Sequence, residues 1–197
     1  MYRIRRYPGL YTQFGIWKEA FSESEVSKIT FLEKMHKFEK GTIFNNGEPQ
    51  ENNKSRDCEL AFLEVDQHTA WIYERLGNII PVANKDLFML DIGYIAPLQY
   101  TIYRGSEEQH YDWHFDRLID YQDFERKISG VVMLSDPDEY EGGDFEIIIN
   151  GNPEEVQTHR PLKGEIIFFS STFPHRVTPV TGGTRKSLVF WVEGKRE

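Results

Sequence analysis

Two rhythms divide the 197 residues. From Ser22 to Gly41 and again from about Asp66 to Ile80 the apolar positions recur every three or four residues, the period of a helix with one buried face. Ser22 and Glu25 have capping-box spacing, and Val26, Ile29, Phe31 or Leu32, Met35 and Phe38 follow at helical intervals up to Gly41. A second helix is expected from about Asp66 to Ile80, with Ala70 or Trp71, Tyr73, Leu76, Ile79 and Ile80 inward and Pro81 just beyond its end. Between them, residues 42–57 are polar and turn-rich and predict a mobile loop, followed by a short strand or extended segment over 58–65. The aromatic-rich residues 1–21, with a turn signal at Pro8-Gly9, predict one or two short strands.

After residue 86 the period shortens to two. Runs rich in β-branched and aromatic side chains, punctuated by Gly, Pro, Asn and Asp, predict strands over 87–95, 98–104, 113–116, 127–134, 144–150, 155–159, 165–170, 175–180 and 185–193. Residues 117–126, polar with two aromatics, predict a lid or a short helix. The expected fold is mainly β (α+β): a double-stranded β-helix, or jelly roll, with the N-terminal helices packed on one sheet. No repeat or long linker interrupts the chain, so one domain over 1–197 is expected, with 1–86 as helical and strand support and 87–197 as the jelly-roll core.

Composition sharpens this picture. The 14 Phe, 10 Tyr and 15 Gly favour strands, and a formal charge of −9 argues against nucleic acid or an anionic membrane as a partner. The cluster Arg3, Arg5 and Arg6 reads either as a contact for an acidic partner or as a solvated terminus. A single cysteine, Cys58, allows no internal disulfide and fits a reducing compartment. No apolar run approaches the roughly 20 residues of a membrane span, and no signal-like segment follows Met1, so a cytoplasmic protein is expected.

The candidate chemistry centres on Tyr111-Asp112-Trp113-His114-Phe115-Asp116. In an extended segment His114 and Asp116 share a face, and together they form two-thirds of a 2-His-1-carboxylate facial triad. Of the other histidines, His36 and His68 lie on predicted helices, His110 precedes a turn, and His159 ends a polar strand without a partner at a recognisable spacing. His175 follows Phe173-Pro174, opens an apolar strand, and precedes Arg185 by ten residues. Arg185, Ser187, Val189 and Trp191 alternate and so face one way. A buried arginine needs an anion. That anion is either one of the chain's 32 acidic residues or a ligand carboxylate held in bidentate fashion.

Several stretches together carry a resemblance: Gln99-Tyr100-Thr101-Ile102-Tyr103, the 111–116 stretch, Glu141-Gly142-Gly143-Asp144-Phe145, Phe173-Pro174-His175-Arg176-Val177 and Arg185-Lys186-Ser187-Leu188. With these the chain resembles the Fe(II)- and 2-oxoglutarate-dependent dioxygenases, most closely their prolyl-4-hydroxylase-like branch, over about residues 98–191. The resemblance implies that His114, Asp116 and His175 bind iron and form the catalytic centre. It implies that Arg185, helped by Ser187, holds the distal carboxylate of 2-oxoglutarate, that Tyr103 reaches the cosubstrate region, and that Trp191 walls the pocket. It also places His175 and Arg185 on opposing sheets, where Gly182-Gly183 alone would suggest a simple hairpin. Met133 stands where many relatives have a tyrosine assisting that carboxylate.

The implied reaction couples oxidative decarboxylation of 2-oxoglutarate to succinate and CO2 with hydroxylation of a substrate C–H by O2, with ascorbate as a candidate reductant. The metal, Asp116, Arg185 and a dianionic cosubstrate would balance in charge. A prolyl residue of a protein or peptide is the first substrate class; a free amino acid or small metabolite is the alternative. Arg56, Tyr121 and Phe124 are the candidate substrate contacts. A zinc or manganese enzyme on the same ligands, and a non-catalytic jelly-roll module, are the rival readings.

Overall fold

The computed structural model describes residues 12–45, 48–119, 123–149 and 151–196, with the side chains of 44–49 left aside. The arginine cluster at 3–6, the Pro8-Gly9 turn and Tyr121 fall outside the described residues.

Helix α1 spans Glu23–Phe31 and starts as its capping box requires: Glu25 N–H donates to Ser22 Oγ, and the Glu25 carboxylate accepts from Ser22 N–H at 2.8 Å. It is shorter than the periodicity predicts. A 3-10 turn over Leu32–Lys34 tightens its end, Leu32 is the inward residue while Phe31 and Met35 are exposed, and Phe38 leaves the helix to set its ring edge-on against Tyr100. Helix α2 spans Ala70–Ala83 and buries Ile72, Leu76, Ile79, Ile80 and Ala83. Pro81 lies inside it rather than after it. Pro81 and Gly77, the residue whose carbonyl it cannot meet, both sit on the exposed face. Water can therefore take the freed carbonyl, and the space beside Gly77 is open, since a Cβ there would meet nothing within 4 Å. The helical path then continues as a π turn over Asn84–Phe88, so the expected strand over 87–95 is reduced to a pairing at Tyr94–Ile95. Phe88 extends the buried stripe of α2 at helical spacing, and that packing outweighs the local strand preference.

The strands are β1 (Phe14–Trp17), β2 (Glu59–Leu63), β3 (Leu98–Arg104), β4 (His110–His114), β5 (Phe124–Met133), β6 (Phe145–Ile147), β7 (Gln157–His159), β8 (Ile166–Ser170), β9 (His175–Val177) and β10 (Val180–Lys195). The larger sheet runs β1-β8-β5-β10-β3-β2, with Glu39–Lys40 on the β2 edge; the smaller runs β7-β6-β9-β4, with Arg56–Asp57 on the β4 edge. All pairings are antiparallel, and the two sheets make the expected jelly roll. The predicted loop at 42–57 is partly a hairpin, since Ile43–Asn45 pairs with Glu48–Gln50.

Strand periodicity sorts the larger sheet into two faces. Leu98, Tyr100 and Ile102 of β3, Ile128 and Val132 of β5, Ile166 and Phe168 of β8, and Leu188, Phe190 and Val192 of β10 pack with α1 and α2 in one core. The alternate residues Tyr103, Val131, Met133, Ile167, Phe169 and Val189 turn to the smaller sheet, where they meet Phe145, Ile147 and Val177. Gly130 is needed on β5, because a Cβ there would lie 2.0 Å from the Phe190 ring. His175 and Arg185 sit on strands of different sheets, β9 and β10, so no simple hairpin forms. Among the described residues no helix is long and apolar enough to cross a membrane.

Candidate functional site

His114 ends β4, and its cross-strand partner is His175, the first residue of β9. Antiparallel register therefore delivers both imidazoles to one point. Asp116 does not lie on the strand, as the His-x-Asp spacing predicts, but on the loop just after it. Asp116 N–H and Arg117 N–H both donate to the Ser171 carbonyl, at 3.1 and 2.9 Å, and this tie turns the carboxylate back between the rings. Asp116 Oδ1 lies 3.6 Å from His114 Nε2 and Oδ2 lies 3.5 Å from His175 Nε2. One ligand atom from each of the three falls within 4.8 Å of the others.

The orientation of each ring is fixed from behind. His114 Nδ1 is 2.8 Å from the Asp112 carbonyl and His175 Nδ1 is 3.0 Å from that of Phe173. A carbonyl only accepts, so each Nδ1 carries the proton and each Nε2 presents its lone pair, the state a metal requires. Tyr111 stacks on His114 with ring centroids 3.5 Å apart, and Phe169 and Phe145 enclose His175. Burial, then the facing His175 ring, pushes His114 down to about 3. Burial alone would raise the Asp116 carboxyl, but His175, His114, the Ser129 hydroxyl and the Trp191 indole outweigh it and hold it below its ordinary value. Two neutral imidazoles and one carboxylate at this spacing can hold a divalent cation on one face and leave its other face open.

The three residues line a cavity of about 540 Å³, together with Tyr103, Arg185, Ser187 and Trp191. Arg185 is 1% exposed. Its Nη1 reaches Ser187 Oγ at 3.4 Å, its Nη2 reaches Met133 Sδ at 3.5 Å, and its Nε has no partner. Among the described residues it pairs with no carboxylate, which disposes of the internal salt bridge left open by the sequence. The guanidinium lies 5.5 Å from the centre of the Tyr103 ring. Gly143, at φ +63, lets its stem pass, since a Cβ there would stand 3.0 Å from Arg185 Cδ. A cation so deeply buried without an anion fits a carboxylate-bearing ligand in the cavity.

The remaining histidines stay apart from this group. His36 bonds the Leu32 carbonyl, His110 lies near the Lys54 carbonyl, His68 contacts Gln67, and His159 stacks on Phe14. Of the candidate substrate contacts, Arg56 lines the cavity, whereas Phe124 lies on β5 against Tyr94. Sequence reasoning gave no role to Arg126, whose guanidinium lies 3.7 Å over the Trp191 ring, or to Gln99 and Thr101 on the cavity face of β3. The alternation of β3 already places Gln99, Thr101 and Tyr103 on one face, and that was the available signal.

Comparison with known proteins agrees with this geometry. Residues 98–193 match the family model of the 2OG-Fe(II) oxygenase superfamily. This places residues 98–193 in that superfamily. Among curated members, PKHD-type hydroxylases of Stenotrophomonas maltophilia and Xylella fastidiosa are 36% and 37% identical over 127 and 136 residues; these cover 60% and 64% of this chain, and 54% and 58% of theirs. The chain thus spans about half the length of the curated relatives it matches. Its fold is similar to a prolyl hydroxylase of Trichoplax adhaerens solved with a hypoxia inducible factor peptide fragment, with a TM-score of 0.74, 20% identity, and coverage of 92% of this chain and 83% of that one. A Pseudomonas putida prolyl-4-hydroxylase gives 0.71 at 16% identity, covering 94% of both chains. Iron(II), 2-oxoglutarate and O2 are the set this superfamily uses, and the His-Asp-His group and the unpaired Arg185 fit the first two.

Proposed function

We propose that this protein is an Fe(II)- and 2-oxoglutarate-dependent hydroxylase acting on a prolyl residue of a protein or peptide. In this reading His114, Asp116 and His175 hold the iron, and Arg185 with Ser187 holds the far carboxylate of 2-oxoglutarate. Tyr103 flanks that carboxylate and Trp191 walls the cavity. The observation that carries the reading is the pairing, in one cavity, of a His-Asp-His group with a guanidinium that meets no carboxylate among the described residues. A zinc hydrolase on the same three ligands would have no use for Arg185.

When bound, iron would couple 2-oxoglutarate to O2, the oxidant: one oxygen atom would end in succinate as CO2 is released, and the other in the new substrate hydroxyl. The chain's own part is positional. The Asp112 and Phe173 carbonyls keep both imidazoles in the ligating tautomer, and the Ser171 carbonyl fixes the loop that aims Asp116. Phe145, Val131, Val177 and Val189 give the cavity apolar walls that exclude water and shield the reacting C–H. Trp113, Phe115, Leu118 and Ile119 are exposed, and the first three line the cavity, an apolar surface suited to a peptide. The prolyl and peptide elements rest on the prolyl hydroxylases that this fold resembles. The test is turnover of proline-containing peptides with Fe(II), 2-oxoglutarate and air, read as a mass gain of one oxygen matched by succinate. Succinate without any hydroxylated peptide would retain the oxygenase and remove the prolyl assignment.

A further inference from the structure

The cavity holds a second guanidinium that the reaction outlined above leaves unused. Arg56 pairs with β4 through the smaller sheet's edge, is 8% exposed and lines the cavity. Its Nη1 donates to the Thr42 carbonyl at 3.0 Å and its Nη2 to Gln99 Oε1 at 3.2 Å, while its Nε has no hydrogen-bond partner. Gln99 is itself oriented by donating to Thr101 Oγ1 at 2.8 Å, and both residues are buried. The guanidinium lies 4.5 Å over the Tyr111 ring, and that ring stacks on His114. Arg56 is therefore held in one orientation, a single aromatic ring away from the metal site.

Every partner of Arg56 among the described residues is neutral. The Cys58 thiol faces it, but burial raises that thiol above its ordinary value and keeps it protonated. The other cavity arginines differ: Arg117 is paired with Glu125 at 2.9 Å, and Arg126 lies 3.8 Å from Glu193. Arg185 is answered by 2-oxoglutarate, and one metal dication, Asp116, Arg185 and the cosubstrate dianion leave no net charge. Arg56 then adds one positive charge that no carboxylate among the described residues meets at ion-pair distance; Asp112, also on the lining, is exposed and accepts the Trp113 N–H at 2.8 Å. Two hydrogen bonds occupy two of the five N–H groups of a guanidinium, so three remain.

The geometry points to Arg56 as the seat of a substrate carboxylate, so that the preferred substrate is an anion whose carboxylate lies beside the carbon to be hydroxylated. This rests on the hydroxylase reading and narrows its substrate class. The carboxylate is either the target residue's own, as in a free or chain-terminal residue, or the side chain of an acidic neighbour. Gln99 and Thr101 position Arg56, and the apolar Ile43, Leu60 and Phe62 complete that side of the cavity.

The test uses the full chain with Mn(II) in place of iron and saturating 2-oxoglutarate, reading probe binding by tryptophan fluorescence. The probes are N-acetyl-Ala-Pro acid and its amide, N-acetyl-Ala-Pro-Glu amide and its Gln counterpart, and free L-proline. At least one acid should bind about tenfold or more tightly than its neutral counterpart, as expected of a hydrogen-bonded charge pair. Which acid does so tells the two sources apart. Arg56→Gln should abolish that preference and Arg56→Lys should retain part of it, while both leave 2-oxoglutarate affinity unchanged. Equal binding of acid and neutral forms by the wild type, or no binding of any probe, overturns the inference. Failure of 2-oxoglutarate to bind the wild type would instead overturn the hydroxylase reading itself.

Discussion

Arg185 Nη2 rests 3.5 Å from Met133 Sδ, deep between the two sheets. A thioether is a weak acceptor and cannot donate, so Met133 neither neutralises the guanidinium nor adds a hydrogen bond to a carboxylate held there. Among the described protein groups, only Ser187 offers Arg185 a hydroxyl, at 3.4 Å. Arg185→Ala should weaken 2-oxoglutarate binding at least 100-fold, and Ser187→Ala by only a few fold, in titrations of the metal-loaded protein. Met133→Tyr, which places a hydroxyl near the same carboxylate, should tighten binding by up to about tenfold. Unchanged affinity in Arg185→Ala would contradict the assignment.

Trp191 links the metal site to the cavity wall. Its indole helps lower the Asp116 pKa and its ring carries Arg126, yet its N–H is buried without a hydrogen bond of normal geometry. Trp191→Phe keeps the ring and removes the N–H. Mn(II) affinity, followed by electron paramagnetic resonance, should fall about tenfold, the usual effect of losing a group that supports a metal ligand. No change would show that Trp191 only packs.

The metal-free protein should be acid-sensitive in a defined window. An unfolded imidazole takes a proton near pH 6.5, whereas burial and His175 keep folded His114 neutral down to about 3. Between those values the unfolded chain binds more protons, so stability is complete above the unfolded pKa and falls as pH drops through the window. Asp116, also depressed, acts in the same direction at lower pH. In EDTA, Tm should fall from pH 7.5 to pH 5, and His114→Gln should flatten the slope. A Tm independent of pH would contradict the burial of a neutral ring.

Gly130→Ala places a methyl where the Phe190 ring lies, in a core too rigid to yield cheaply. Overpacking of this kind costs about 1–3 kcal/mol. Paired with Phe190→Leu, part of that loss should return, a coupling visible in urea denaturation of the two single variants and the double.

The sequence made the sheet faces legible because strand alternation is local: Leu98, Tyr100 and Ile102 separate from Gln99, Thr101 and Tyr103 by period alone. The metal ligands were legible as residues but not as geometry. Asp116 was expected on the strand beside His114, and it reaches its place through the Ser171 carbonyl, a contact 55 positions away in the chain that no spacing encodes. Pro81 was expected to end α2, yet an exposed face lets the helix run past it. Segment 87–95 was misassigned because Phe88 answers to the helical core rather than to its strand-like neighbours. Arg56 stood in a stretch expected to be a mobile loop, and its pairing with Tyr111 appears only once β4 and the Arg56–Asp57 edge meet.

The central claim is that one cavity holds a metal on three side chains and a dicarboxylate on Arg185. Anaerobic addition of Fe(II) and 2-oxoglutarate to the protein tests it most directly. The account predicts a visible charge-transfer band that needs both additions and is lost in His175→Ala and in Arg185→Ala. A wild-type protein that binds iron but gives no band with 2-oxoglutarate, or a band that survives both substitutions, would contradict it.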